Sequence, residues 1–290
     1  MENYLKIDST YVCIRWDTDS ISDIIKNMFS TWRVSSVKPT HFFDITSHNS
    51  GFSLKTPLGS VQCSDEKTLA ANLEYSLTLL AQEVYSQNLQ LHASCVDFMG
   101  KGVLFVGPHS AGKTTLALTA IASGFRALTD DVAIVGESHT QIYGFPRPFK
   151  VCDDIWNMQP TVVPLDCPHF KVTPETTYLF FYLPDGRYYA EITLLKYIIF
   201  PVRNDNPTMI RELGETESLS RLLLQGFNCY QKKNGRVDEL LDTIRKTSSF
   251  EIVYNSNWDL LKKVRELLVT CSPKLDGFEN ELHGRSKSKL

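Results

Sequence analysis

The chain has 290 residues, of which 30 are basic and 33 acidic, and its formal net charge at pH 7 is −3. A chain of this length can bury a large core, as one large domain or as two small ones. Its balanced charge lacks the basic excess that is typical of nucleic-acid-binding proteins, so we expect no nucleic-acid partner.

Seven cysteines are scattered along the chain, and no two of them form a C-x-x-C pair. An odd number in this arrangement indicates reduced thiols rather than a disulfide framework or a zinc site. The segment MENYLKIDST has no basic region followed by an apolar core, and no apolar run is long enough to span a bilayer. We therefore predict a cytoplasmic protein without a membrane partner.

The first 66 residues predict an accessory region of short strands and turns, in which the run Tyr11–Trp16 alternates between apolar and polar positions. Ser20–Trp32 is predicted to hold one helix. From Asp65 to Gln87, leucines and aromatic residues recur at spacings of three and four after an acidic start. This pattern predicts a long amphipathic helix whose apolar face packs on the core.

Two apolar runs then predict a β-hairpin. Leu89–Met99 reads as a strand, and the turn Gly100-Lys101-Gly102 joins it to a second apolar run at Val103–Val106. His92 lies within the first strand. From spacing alone, a lone histidine in a strand is more often a satisfied core residue than a functional one.

The second strand leads directly into a phosphate-binding pattern. Residues 107–114 read GPHSAGKT, which matches G-x-x-x-x-G-K-T, and apolar residues at helical spacing follow from Leu116 to Ile121. Glycines allow successive N–H groups to converge on phosphate oxygens at a helix N-terminus. The motif predicts that Lys113 reaches the β- and γ-phosphates and that the Thr114 hydroxyl binds Mg²⁺. The alternative is a glycine-rich turn with an unrelated lysine.

Two adjacent carboxylates, Asp130 and Asp131, lie between the strand-like runs 125–129 and 132–135. Neighbouring side chains in a strand point to opposite faces, so the two carboxylates could have separate chemical roles. One could hold Mg²⁺ while the other takes a proton from an attacking hydroxyl. The alternative is an exposed acidic turn.

Two arginines are candidates for clamping phosphate. Prolines on both sides of Arg147 stiffen a loop that could present a guanidinium to phosphate, although an ordinary solvated arginine fits equally well. Arg203 follows Pro201 at a predicted strand end and is the second candidate.

Residues 149–176 are rich in proline and acidic pairs and are predicted to form an irregular, substrate-facing loop. The strands Tyr178–Leu183 and Ile192–Phe200 are predicted to pair as a hairpin around the turn at residues 184–187. The remaining predicted elements are helices at Glu215–Leu224, Val237–Lys246 and Trp258–Leu268, and a short strand at Phe250–Tyr254.

The hairpin with His92, the phosphate loop and the aspartate pair about fifteen residues after it together resemble the HPr kinase/phosphorylase family. The matching core, residues 91–135, reads LHASCVDFMGKGVLFVGPHSAGKTTLALTAIASGFRALTDDVAIV. The resemblance implies an α/β fold with a P-loop nucleotide-binding core of the kind shared with phosphoenolpyruvate carboxykinases. We expect residues 1–66 to be accessory and strand-rich, residues 67–271 to form this core with a helical C-terminal part, and residues 272–290 to be a disordered polar tail.

The resemblance also implies a function, namely the ATP- and Mg²⁺-dependent transfer of the γ-phosphoryl group to a serine of a protein or peptide. The chain resembles divergent HPr-kinase-like enzymes of gene clusters for ribosomally made peptides, including lasso peptides. Their acceptor is a serine near the end of a precursor peptide. HPr enzymes form hexamers, which makes a homo-oligomer a further expectation. A kinase of a small hydroxylated metabolite and a non-catalytic, ATP-dependent regulatory protein remain alternatives.

Carried over by position, the resemblance assigns three catalytic residues: Asp130 as the general base on the acceptor hydroxyl, His92 as its support, and Lys113. It places Asp131 near the metal, with Thr114 as a metal ligand. The residues expected to bind the nucleotide are Gly107, Pro108, His109, Ser110, Ala111, Gly112, Lys113, Thr114, Thr115 and Arg147.

Overall fold

The computed structural model describes residues 1–29, 32–35, 37–145, 147–152, 169–171, 178–181, 188–229 and 236–270. These residues form a mixed α/β fold, as the sequence predicts. The strands are β1 (Glu2–Ile7), β2 (Thr10–Trp16), β3 (His41–His48), β4 (Gly51–Thr56), β5 (Gly59–Cys63), β6 (Leu89–Leu91), β7 (Ala93–Phe98), β8 (Lys101–Val106), β9 (Arg126–Thr129), β10 (Ala133–Val135), β11 (Gln141–Tyr143), β12 (Phe149–Cys152), β13 (His169–Lys171), β14 (Tyr178–Phe181), β15 (Ile192–Arg203), β16 (Met209–Glu212) and β17 (Ser248–Tyr254). The α-helices are α1 (Ser22–Met28), α2 (Glu66–Val84), α3 (Lys113–Ala122), α4 (Glu215–Leu223), α5 (Val237–Arg245) and α6 (Asn257–Thr270).

The N-terminal strands form one five-stranded sheet in the order β1-β2-β3-β4-β5, in which β2 and β3 are parallel. Helix α2 follows directly and is capped by Asp65, whose carboxylate accepts a hydrogen bond from the Thr68 N–H at 2.8 Å. Its buried leucines pack into one core with the sheet. That core also contains Val132, Ile134 and Phe145. The N-terminal sheet and α2 therefore pack against residues that follow Asp130 and Asp131 in the chain.

A nine-stranded sheet makes up the rest of the core, and β15 lies at its centre. This strand pairs with β8 and β17 in parallel and with β11 in antiparallel orientation. Ile198 and Ile199 are fully buried, because helices cover both faces of the sheet. Helices α3 and α6 pack on one face, whereas α4 and α5 contribute to the core on the other. No helix within the described ranges is long and apolar enough to cross a membrane.

The structure corrects the sequence analysis after residue 148. The predicted irregular loop contains strands β12 and β13, and β14 pairs with both of them in a separate three-stranded sheet. The predicted hairpin between β14 and β15 is therefore wrong, since β15 belongs to the large sheet. The turn at residues 184–187 and the tail after residue 270 lie outside the described residues. Strand patterns show which segments are extended, but pairing between distant strands is decided by tertiary packing.

Gly144 is required by a close approach between two chain segments just before Arg147. A Cβ atom added there would lie 2.4 Å from the Ala190 carbonyl oxygen, whereas one added at Gly214 would meet no heavy atom within 4 Å. We expect Gly144→Ser to lower the free energy of unfolding by about 1–3 kcal/mol. The matched change Gly214→Ser places a serine at the N-cap of α4 and should cause no loss. Urea denaturation of both variants measures the difference, and equal stabilities would contradict the expected clash.

Candidate active site

The predicted strand–loop–helix arrangement is present. β7 and β8 form an antiparallel hairpin, and residues 107–112 join β8 to α3. Gly112 has φ of +81° at the N-cap of α3, a left-handed conformation that favours glycine. A Cβ at Gly107 would lie only 2.9 Å from the Cβ of Ala111, so the loop is too tight for a side chain there. The first N–H groups of α3 have no acceptors within the helix, an arrangement that suits the binding of an anion.

Lys113 lies across the loop. Its Nζ donates hydrogen bonds to the carbonyl oxygens of Gly107 at 3.0 Å and Pro108 at 3.1 Å. Burial lowers the pKa of the Lys113 ammonium, while the negative charges of Asp131 and Asp130 oppose that shift. The loop carbonyls therefore hold a positive charge at the helix N-terminus, where it would add to the attraction for phosphate.

Asp130 is buried against the loop helix. The hydroxyl of Thr114 donates toward both of its carboxylate oxygens, at 3.1 and 3.0 Å, and the Ser94 hydroxyl on β7 donates to Oδ1. Burial, followed by the charge of Asp131, raises the pKa of Asp130 to about 6. Both carboxylate oxygens are thus engaged by hydroxyl groups from two different elements.

Asp131 has different surroundings, because the aspartate pair forms a turn rather than part of a strand. Asp131 has φ of +63°, and the main chain turns back through a hydrogen bond from the Val132 N–H to the Asp130 carbonyl oxygen at 2.8 Å. Its side chain is 35% exposed, which leaves it open to a reactant. The expected alternation of a strand therefore does not apply, and the turn gives the two carboxylates their different neighbours.

His92 and Arg147 approach Asp131 from opposite ends. His92 Nε2 lies 3.7 Å from Asp131 Oδ1, and Arg147 Nη1 lies 3.9 Å from Oδ2. Burial raises the pKa of the Asp131 carboxyl, but the His92 ring and the Arg147 guanidinium outweigh burial and lower it overall. His92, expected to support Asp130, is therefore beside Asp131 instead.

The predicted strand 89–99 breaks at His92, between β6 and β7. A segment after α4 holds the residue there: the His92 N–H donates to the Gln225 carbonyl oxygen at 2.6 Å, and Nδ1 lies 3.3 Å from Gln225 Oε1. The ring also contacts that of Phe227, with centroids 5.7 Å apart. The break turns the imidazole toward the aspartate turn rather than into the core.

Sequence reasoning missed two residues of this cluster, Ser94 and Glu74. Glu74 on α2 lies next to Leu73 and three residues before Leu77, on the buried face of the helix, and it is only 5% exposed. A glutamate within an apolar stripe needs a buried partner, so its position was a usable signal. Its partner is Arg147, with Nη2 2.8 Å from Glu74 Oε1.

Of the remaining predicted residues, four lie in or directly after the loop, and Arg203 lies at the end of β15. Pro108, His109 and Ser110 are exposed on the outer side of the loop, and Thr115 is in the first turn of α3. Arg203 is exposed at the end of β15.

The oxygen atoms at the loop suit a magnesium ion. Mg²⁺ prefers oxygen ligands and is commonly bound through one or two carboxylates together with substrate phosphates and water. The Thr114 hydroxyl and the Asp130 carboxylate form such a set at the loop. In the described part of the chain, no group of three or more His, Cys, Asp and Glu side chains could hold a metal ion. A magnesium ion at the loop would therefore also need phosphate and water ligands.

Comparison with known proteins reveals related sequences. The chain is 36% identical over 87 residues to the HPr kinase/phosphorylase of Chlorobium chlorochromatii, which covers 29% of this chain and 25% of the relative. It is 35% identical over 89 residues to the HPr kinase/phosphorylase of Chlorobaculum tepidum, again with 25% of the relative covered. Part of this chain is similar to HPr kinase/phosphorylases. This confirms the predicted family resemblance.

The relationship is partial. The chain spans about a quarter of the length of the curated relatives it matches. No family model matches it. The solved HPr(Ser) kinase/phosphatase from Coxiella burnetii aligns at a TM-score of 0.33 and 16% identity, over 62% of this chain and 96% of that one.

Lys113 generates a direct prediction for nucleotide binding. Replacing Lys113 by Met removes a charged donor at the loop, and we expect the affinity for ATP to fall by about 10- to 100-fold. Lys101→Met is the matched control, because Lys101 begins β8, the strand that leads into the loop, and its Nζ donates to the Leu268 carbonyl oxygen. Isothermal titration calorimetry with ATP measures both. Unchanged affinity in Lys113→Met would rule out the loop as the phosphate site.

Proposed function

We propose that this chain is an ATP- and Mg²⁺-dependent kinase that transfers the γ-phosphoryl group to a serine hydroxyl of a peptide or protein. One observation carries the proposal: two adjacent carboxylates at the N-terminus of α3 have separate partners. Asp130 accepts a hydrogen bond from Thr114 in the first turn of α3, while Asp131 is partly exposed beside His92. A metal-side carboxylate and an accessible base are the two acidic groups that phosphoryl transfer needs.

The loop and Lys113 serve to bind the triphosphate. The N–H groups of the first turn of α3 and the Lys113 ammonium attract phosphate oxygens. Thr114 and Asp130 would hold Mg²⁺, which supplies charge neutralisation on the phosphoryl oxygens when bound. The proposal therefore moves the metal-side role from Asp131 to Asp130, because Asp130 is the carboxylate that contacts Thr114.

Asp131 is assigned as the general base, a role that the family resemblance gave to Asp130. Its carboxylate is accessible, whereas the oxygens of Asp130 are engaged by Ser94 and Thr114. The neighbouring His92 ring and the charge of Arg147 keep the pKa of Asp131 low, so it is ionised at neutral pH. It accepts the serine proton while the serine oxygen bonds to the γ-phosphorus. The bond to the β–γ bridging oxygen breaks, and ADP leaves.

A serine in a polypeptide is the acceptor we favour. The relatives are named for HPr. The residue pattern at residues 91–135 also resembles kinases of lasso-type precursor peptides. Asp131 is partly exposed beside His92, whose ring contacts the half-exposed ring of Phe227, and a flexible chain can bring a hydroxyl to this position. A kinase of a small hydroxylated metabolite remains the second candidate in the experiment below.

The two aspartates give a matched pair of variants. We expect Asp131→Asn to reduce phosphoryl transfer by about 10²- to 10⁴-fold, with ATP binding nearly unchanged, because the amide cannot accept the proton. Asp130→Asn should instead raise the Mg²⁺ concentration required for half-maximal transfer. Intact-mass spectrometry of HPr and of precursor peptides encoded beside the gene, after incubation with ATP and Mg²⁺, measures the gain of one phosphate.

Asp97→Asn serves as a control for loss of a buried carboxylate elsewhere, since the hydrogen-bond partners of Asp97 are Arg126 and Thr193. Full transfer by Asp131→Asn would disprove its role as the base. If instead Asp130→Asn loses transfer at every Mg²⁺ concentration while binding ATP normally, Asp130 is the base. ATP binding without transfer to any polypeptide would favour a metabolite acceptor or a regulatory protein.

A further inference from the structure

A buried ion pair joins Glu74 on helix α2 to Arg147, beside Asp131 of the candidate active site. Arg147 Nε and Nη2 each lie 2.8 Å from Glu74 Oε1, and the Thr78 hydroxyl donates to the same oxygen at 2.9 Å. The two charged side chains are only 6% and 13% exposed. Removing charges from water at this depth is costly, and a well-packed apolar pair is often equally stable, so stability alone gives weak reason for this pair.

The geometry indicates what the pair does. Arg147 has a second carboxylate within reach, because its Nη1 lies 3.9 Å from Asp131 Oδ2. If Glu74 did not bind Nε and Nη2, attraction would draw the guanidinium onto Asp131. The resulting direct ion pair would occupy the carboxylate of Asp131, and the guanidinium of Arg147 would no longer be available to a phosphate. Glu74 therefore holds the guanidinium close to Asp131 without letting the two close into contact.

The Nη1 end of Arg147 is thus directed toward the turn that carries Asp131, and Lys113 acts on the same carboxylate from the loop. Two cations, Arg147 and Lys113, therefore act near the carboxylate of Asp131, beside the loop where we expect the phosphates to bind. A planar guanidinium with free N–H groups matches phosphate oxygens well. An arginine in this position distinguishes a nucleotide with a γ-phosphate from one without it.

We propose that Glu74 is a positioning residue that holds Arg147 where its guanidinium recognises the γ-phosphate of ATP, so that α2 contributes to the choice of ATP over ADP. This inference rests on the proposed function. It adds a residue from outside the phosphate loop and the aspartate turn, and it assigns to that residue a role in nucleotide selection rather than in chemistry.

The measurement is the ratio of ATP to ADP affinity, obtained by calorimetry for the full chain with Mg²⁺. We expect Glu74→Gln to reduce this ratio by about 10-fold, because one charge-assisted contact to the γ-phosphate is lost. ADP affinity should change by less than about 2-fold, since ADP lacks that phosphate. In an Arg147→Ala background, Glu74→Gln should have no further effect on the ratio, because Glu74 acts only through Arg147.

Two further variants keep the test decisive. Thr78→Val removes one hydrogen bond to Glu74 and leaves the ion pair, so it should lower the ratio by a smaller factor of about 2 to 3, and it carries the test if Glu74→Gln does not fold. Asp97→Asn breaks a different buried carboxylate–arginine pair, at Arg126, and should leave the ratio unchanged.

Several outcomes would overturn the inference. The ratio could stay at the wild-type value in both Glu74→Gln and Thr78→Val, it could fall equally in Asp97→Asn, or Glu74→Gln could weaken ATP and ADP to the same extent. A wild-type chain that binds ATP and ADP equally well would also overturn it, while transfer to serine could still be observed. A wild-type chain that binds neither nucleotide would refute the proposed function itself, and the inference with it.

Discussion

The candidate site depends on one buried carboxylate, Asp130, and on the hydroxyl groups that satisfy it. Ser94 comes from the hairpin strand β7, Thr114 from the first turn of α3, and Asp130 from the turn after β9. A buried charge without such partners would be strongly destabilising. The three elements therefore have to meet at this point, and their meeting fixes the position of the phosphate loop relative to the aspartate turn. Thr114 has two roles, since its hydroxyl donates to Asp130 and is also suited to bind Mg²⁺.

Two identical side chains, one residue apart, become chemically different because of the turn between them. The left-handed conformation of Asp131 directs its carboxylate away from that of Asp130, into the space between His92 and Arg147. Burial raises the pKa of Asp130 to about 6, and neighbouring positive charge lowers the pKa of Asp131. Two carboxyl groups whose surroundings move their pKa values apart are suited to separate roles in one reaction.

Parts of the chain distant in sequence complete the site. Glu74 on α2 binds Arg147, and the segment after α4 binds His92 through Gln225. The N-terminal sheet shares its core with α2 and with Val132, next to the aspartate pair. The N-terminal region and the C-terminal part are thus packed against the residues proposed for catalysis. Their packing decides how far Arg147 and His92 stand from Asp131.

The sequence by itself determined the elements that depend on local pattern. The apolar run of β8, the spacing of GPHSAGKT and the periodicity of α2 and α3 were sufficient to predict the strand–loop–helix and the family resemblance, because glycine conformation and helical periodicity are local properties. Only the tertiary structure decided the pairing of β14, the turn at the aspartate pair, and the partners of His92 and Arg147. These features depend on contacts between residues as far apart as Glu74 and Arg147, or His92 and Gln225. Such contacts follow from how packed layers satisfy buried charges, and no pattern along the chain specifies them.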